Sequence, residues 1–120
     1  MRVLIVESDP ALGGLWEAAL KTLHHEVERV ETADAAMAAL RRGDVRIIVM
    51  DLALRGGSAL AIADYAGFRY PQTRVVFVSG SDCFSDGSIF CHHDNVCAFL
   101  PMATRPDDLA MMVEHYARAA

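Results

Sequence analysis

Ile47-Ile48-Val49-Met50-Asp51-Leu52 is the stretch whose reading decides the fold. It is a short apolar run, rich in β-branched residues, that ends on a carboxylate. A strand covered on both faces has this composition, because neither face meets water. Asp51 falls where such a strand emerges from its sheet. In open α/β sheets, ligands bind at the carboxyl ends of strands. Asp51 is thus the first candidate functional residue, with a helix cap or a simple strand terminus as the plainer alternative.

Working outward, similar runs recur. Arg2-Val3-Leu4-Ile5-Val6 reads as a buried strand and is followed by Glu7-Ser8-Asp9-Pro10. Either Ser8 or Asp9 can cap a helix, and Pro10 suits its first turn. Leu12, Leu15, Trp16, Ala19, Leu20 and Leu23 repeat at helical spacing, despite the Gly13-Gly14 pair. His24-His25 lie where this helix ends. Glu26 to Glu31 alternates polar and apolar residues, as an edge strand does. Thr32 or Asp34 opens a second helix with Ala33, Ala36, Met37 and Leu40 on one face; Arg41-Arg42 close it and Gly43 is a natural cap.

Beyond Asp51, Arg55-Gly56-Gly57-Ser58 is a loop. Ala59, Ile62, Ala63 and Ala66 mark a third helix, which must stop before Pro71. Val75-Val76-Phe77-Val78 is a fourth strand ending on Ser79-Gly80. A short or distorted helix is expected between Ser85 and His93. Val96-Cys97-Ala98-Phe99-Leu100 is the fifth strand. Pro106 starts a last helix, with Asp107 and Asp108 in its first turn and Leu109, Met112, Val113 and Tyr116 on its buried face.

A strand-helix unit repeated five times implies an α/β fold with a parallel sheet and right-handed crossovers. The alternating second strand belongs at an edge. That favours a flavodoxin-like doubly wound (βα)5 fold with strand order 2-1-3-4-5. No Gly-rich dinucleotide fingerprint follows the first strand. The 120 residues make one domain, 1–120, read as stand-alone. A formal net charge of −5 argues against binding nucleic acid or an anionic membrane. No apolar run reaches the about 18 residues of a membrane span. Three cysteines without a disulfide pattern fit a reducing cytoplasm.

Such a fold gathers Glu7, Ser8, Asp9, Asp51 and Ser79 at one edge. Carboxylates beside a hydroxyl suit a hard divalent cation such as Mg2+. A carboxylate there can act as a nucleophile toward a phosphoryl group.

This constellation resembles the receiver domain of two-component response regulators, of the chemotaxis-regulator type. The resemblance spans nearly the whole chain. It rests on Val3 to Pro10, Val49 to Leu54, Val76 to Gly80 and Ala98-Phe99-Leu100. It implies that Asp51 accepts a phosphoryl group and that Ser79 contacts that group. Phe99 would be the switch aromatic, and Mg2+ would be held by Glu7, Asp51 and the backbone carbonyl of Ala53. The implied function is signal reception in a phosphorelay, without enzymatic turnover beyond slow self-dephosphorylation. The implied partners are a histidine kinase or phosphotransfer protein, and a downstream protein or second copy on the face made by the fourth helix, the fifth strand and the last helix.

Two positions depart from the family pattern. The second acid of its metal pair is Ser8 here, for which Asp9 is the only neighbouring substitute. The lysine that pairs with the phosphoryl oxygens is Met102, followed by Ala103 in place of proline. Losing that charge-assisted contact costs roughly 1.5–3 kcal/mol. Arg55, beside Asp51, is a candidate replacement charge or a solvated loop arginine. These departures keep a second expectation open: a pseudo-receiver, used for binding or dimerisation without phosphorylation. A hydrolase using Asp51 would need an acid at position 53, where Ala53 stands. Cys83, Asp86, Cys91, His92, His93, Asp94 and Cys97 cluster in sequence, but their spacing fits no common zinc finger.

Overall fold

The computed structural model describes residues 2–80 and 95–118. Five parallel strands form one sheet in the order β2-β1-β3-β4-β5. They are β1 (Arg2–Val6), β2 (Glu26–Val30), β3 (Val45–Asp51), β4 (Arg74–Ser79) and β5 (Val96–Pro101). Four helices are described: α1 (Pro10–Lys21), α2 (Ala33–Arg41), α3 (Ala59–Arg69) and α4 (Pro106–Arg118). The flavodoxin-like order expected from the patterning is the one observed. The helix expected between Ser85 and His93 lies outside the described residues, as does every member of the Cys/His/Asp cluster except Cys97. Cys97 is half-buried in β5, with its thiol pushed up to about 11 by desolvation.

The sheet divides two cores. On one face Leu4, Leu40, Ile48, Met50, Ile62 and Phe77 pack beneath α2 and α3. On the other, Ile5, Trp16, Leu20, Ile47, Val49 and Leu109 pack beneath α1 and α4. Successive residues of β3 serve opposite cores, which is why the run is apolar throughout. β2, at the edge, has no fully buried residue.

Local chemistry sets the helix ends. Asp9, and not Ser8, caps α1: its Oδ1 accepts from the Ala11 amide at 3.0 Å. Thr32 caps α2 and Ser58 caps α3 in the same way, each accepting from the amide three residues on at 3.1 Å. α3 ends at Arg69, ahead of Tyr70-Pro71, as the restriction before proline requires.

Three sequence expectations are corrected. β3 begins at Val45, two residues before the apolar run, because Arg46 continues the strand with its side chain half-buried. α1 ends at Lys21, and His24 takes a left-handed turn at φ 66° that leads into β2. Leu15, expected on the buried stripe of α1, is 56% exposed. The helix buries Gly13, Trp16, Ala19 and Leu20, an arc that leaves Leu15 on its flank. Gly13 is tolerated there because the chain of Arg29 crosses it: an added Cβ would come within 2.9 Å of Arg29 Cδ.

Candidate functional site

Four polar residues are buried among the described residues: Glu7, Asp51, Thr73 and Ser79. Three of them sit at the carboxyl ends of neighbouring strands. The registers Val6↔Met50 and Asp51↔Val78 bring Glu7, Asp51 and Ser79 to one edge. Burying polar groups is costly unless they are paired, so three at a single edge mark a site rather than a packing accident.

Glu7 is held by the turn that leaves β1. Its amide donates to Val30 O at 3.1 Å, and its Oε1 accepts from the Asp9 amide at 2.9 Å. Its Oε2 is buried and accepts from no donor among the described residues, and a hydrogen bond shared with the Asp51 carboxylate favours the protonated form of Glu7. Burial pushes the Glu7 carboxyl up to about 7; the Asp9 amide opposes this, while the carboxylates of Asp51 and Asp9 add to it. Asp51 is 8% exposed and its Oδ1 accepts from the Ala53 amide at 2.8 Å. The adjacent Leu52 amide donates to Val78 O at 2.9 Å, which fixes the start of the loop.

Ser79 is 3% exposed at the end of β4. Its carbonyl accepts from the Met102 amide at 2.9 Å, which tethers the chain after β5 to the site. Met102 is half-buried and packs against the core under α1 and α4, beside Gly80. No lysine occupies that position. Phe99 is half-buried in β5, its ring centroid 5.3 Å from that of Phe77.

Ser8 has a structural task that the sequence does not reveal. Its Oγ accepts from the Arg55 amide at 2.9 Å, joining the loop after β1 to the loop after β3 across 47 residues of sequence. The Arg55 side chain lies in an exposed residue. The carboxylate of Asp9 is engaged as the α1 cap. Among the described residues, no group of three or more His, Cys, Asp or Glu side chains is arranged to hold a metal. What the edge does offer a cation is the adjacent Glu7 and Asp51 carboxylates, which share a proton in its absence. One or two carboxylates, with waters and a backbone carbonyl, are a donor set that Mg2+ accepts.

No family model and no curated protein matches this sequence. Solved structures do match in fold. A CheY-like response regulator receiver domain from Methanospirillum hungatei JF-1 superposes with a TM-score of 0.89 at 19% identity, over 98% of this chain and 94% of that one. The receiver domain of NtrX from Brucella abortus gives 0.88 at 23% identity, over 98% and 99% of the two chains. Against a longer NtrX chain from the same organism, this chain spans 27% of the length, with a TM-score of 0.87 at 23% identity. No described helix is long and apolar enough to cross a membrane. The chain thus has the fold of a response regulator receiver domain, with Glu7, Asp51 and Ser79 buried at the carboxyl edge of its sheet.

Proposed function

We propose that the chain is a signal-receiving domain in which Asp51 accepts a phosphoryl group and passes the signal on by protein–protein contact. The observation that carries this reading is the burial of Asp51 beside Glu7 and Ser79 at the ends of adjacent strands. An Asp51 oxygen attacks the phosphorus of a phosphohistidine. The P–N bond breaks, its electron pair returns to the imidazole, and an acyl phosphate forms on Asp51. The Ser79 hydroxyl donates to an oxygen of the transferred group. The Asp51 oxygen that binds the Ala53 amide is held still, so the other oxygen is the nucleophile. Glu7 and Asp51 would hold Mg2+ with the Ala53 carbonyl, and the ion would neutralise phosphoryl charge when bound. Asp9 could join them only by giving up its cap, at a cost of about 1 kcal/mol. The donor would be a histidine kinase or phosphotransfer protein in the cytoplasm. The response would be a shift of Phe99 and of the partner face that includes β5 and α4, with no turnover beyond slow self-dephosphorylation.

A second reading has its own support. Ser8 is committed to the Arg55 amide and Met102 packs as an apolar residue, so both departures are built into the structure. A pseudo-receiver that binds a partner without phosphorylation would tolerate both. The test is incubation with Mg2+ and acetyl phosphate, followed by intact mass. The phosphorelay reading expects a phosphoryl adduct that is lost in Asp51→Asn. If no adduct forms, with this donor or with a cognate kinase, the pseudo-receiver reading takes its place.

A further inference from the structure

The opposite edge of the sheet has a different character. In a parallel doubly wound fold, strands start and helices end at that edge, so their terminal residues collect there. This chain places most of its cations at those positions. Arg2 and Arg42 both pair with Glu28, Lys21 pairs with Glu17, and Arg118 pairs with Glu114. Arg41, Arg46 and Arg69 have no carboxylate partner among the described residues. They are the cations at the ends of α2 and α3 and the start of β3, and two of them, Arg46 and Arg69, line a cavity.

The cavity has a volume of ≈ 470 Å3 and is lined by Arg46 and Arg69, with Tyr70, Pro71 and Gln72 along one side and Asp44 on the rim. Its floor is fixed. The buried Thr73 hydroxyl donates to Val45 O at 2.7 Å, and the Thr73 amide donates to Tyr70 O at 2.9 Å. Tyr70 is half-buried and held edge-on by Tyr65, with ring centroids 6.0 Å apart. Arg69 and Arg41 lie close enough to the Tyr70 phenol to lower its pKa against the dominant effect of burial. Asp44, which lines the cavity, follows Gly43 in a turn of two left-handed residues, at φ 86° and 67°.

We propose that this cavity binds a small phosphorylated molecule with a flat organic part, at the pole opposite Asp51. Guanidinium groups match phosphate geometry and are weakly hydrated, so the pair Arg46 and Arg69 lining one recess favours a phosphate over other anions. The Tyr70 ring and Pro71 give an apolar wall for a planar group, and the volume is in the range of small-molecule pockets, about 300–1,000 Å3. Asp44 is the one carboxylate among the described lining residues and opposes binding. The site stands on residues that the phosphoryl-acceptor reading does not use.

The test uses the full chain carrying Asp51→Asn, so that phosphate attraction to the opposite edge is suppressed. Adenosine monophosphate and inorganic phosphate are titrated separately while backbone amide shifts are followed. The expected result is saturable shifts at Val45, Arg46, Tyr70, Gln72 and Thr73, with the nucleotide binding at least tenfold tighter than inorganic phosphate. Arg46→Gln combined with Arg69→Gln should weaken nucleotide binding at least tenfold, and Asp44→Asn should tighten it. Both sets change exposed or half-exposed side chains, and unchanged melting temperatures would show that the fold is intact. No saturable shift, shifts confined to Glu7 and Ser79, or affinity unchanged in the double variant would overturn the proposal. Equal binding of inorganic phosphate would overturn the part assigned to Tyr70 and Pro71.

Discussion

Glu7 carries the sharpest consequence at the scale of a single residue. Its carboxyl is raised from 4.5 to about 7, chiefly by burial. A raised carboxyl stabilises the fold fully below the unfolded value and loses that contribution as pH rises through the folded one. In metal-free protein, stability should therefore fall between about pH 4.5 and pH 7, by up to roughly 3 kcal/mol. Thermal melts in a chelator across this window should show the fall in the wild type and a flatter profile in Glu7→Gln. An unchanged slope in that variant would refute the assignment. Added Mg2+ should reduce the fall, because a cation replaces the proton on the buried pair. Ser8→Asp should strengthen Mg2+ binding at least tenfold by adding a carboxylate where only a hydroxyl stands. A titration that shows no gain would mean that the Arg55 amide holds the new side chain as it holds Ser8.

At the scale of elements, the central prediction concerns how the loop after β3 is seated. Gly57 lies against the start of α2, and a Cβ there would come within 2.4 Å of Ala33 Cβ. Neither atom belongs to a flexible chain, so Gly57→Ala must move the loop or the helix. It should cost about 1–3 kcal/mol in chemical denaturation. Because the same loop carries Ala53, it should also weaken Mg2+ binding, whereas a stability loss with unchanged Mg2+ binding would place the strain in α2. Trp16 makes a simpler case. It is 1% exposed in the core beneath α1, and Trp16→Ala should cost about 3–5 kcal/mol. Patterning was enough to locate these elements, since β-branched runs and helical spacings are local signals. It was not enough to fix their faces and ends. Leu15 kept the spacing of the buried stripe yet lies outside its arc. Ser8 and Asp9 are equally good caps in sequence, and the choice between them depends on the Arg55 amide, which is remote in the chain.

At the scale of the whole molecule, a parallel sheet turns sequence order into two chemically different poles. The carboxyl edge collects Glu7, Asp51 and Ser79 as buried groups. Their positions were readable because each follows an apolar run. The amino edge collects arginines that follow or open elements, and its cavity was invisible in sequence: Arg46 and Arg69, 23 residues apart, line it together only in the folded chain. On the function proposed above, Asp51 is a phosphoryl acceptor weakened by Ser8 and Met102. That role is tested most directly by the rate of phosphoryl adduct formation with acetyl phosphate and Mg2+, followed by intact mass in the wild type, in Asp51→Asn, and in the double variant Ser8→Asp with Met102→Lys. The expected result is a slow adduct in the wild type, none in Asp51→Asn, and formation at least tenfold faster in the double variant. No adduct in either the wild type or the double variant, or an adduct that persists in Asp51→Asn, would contradict it.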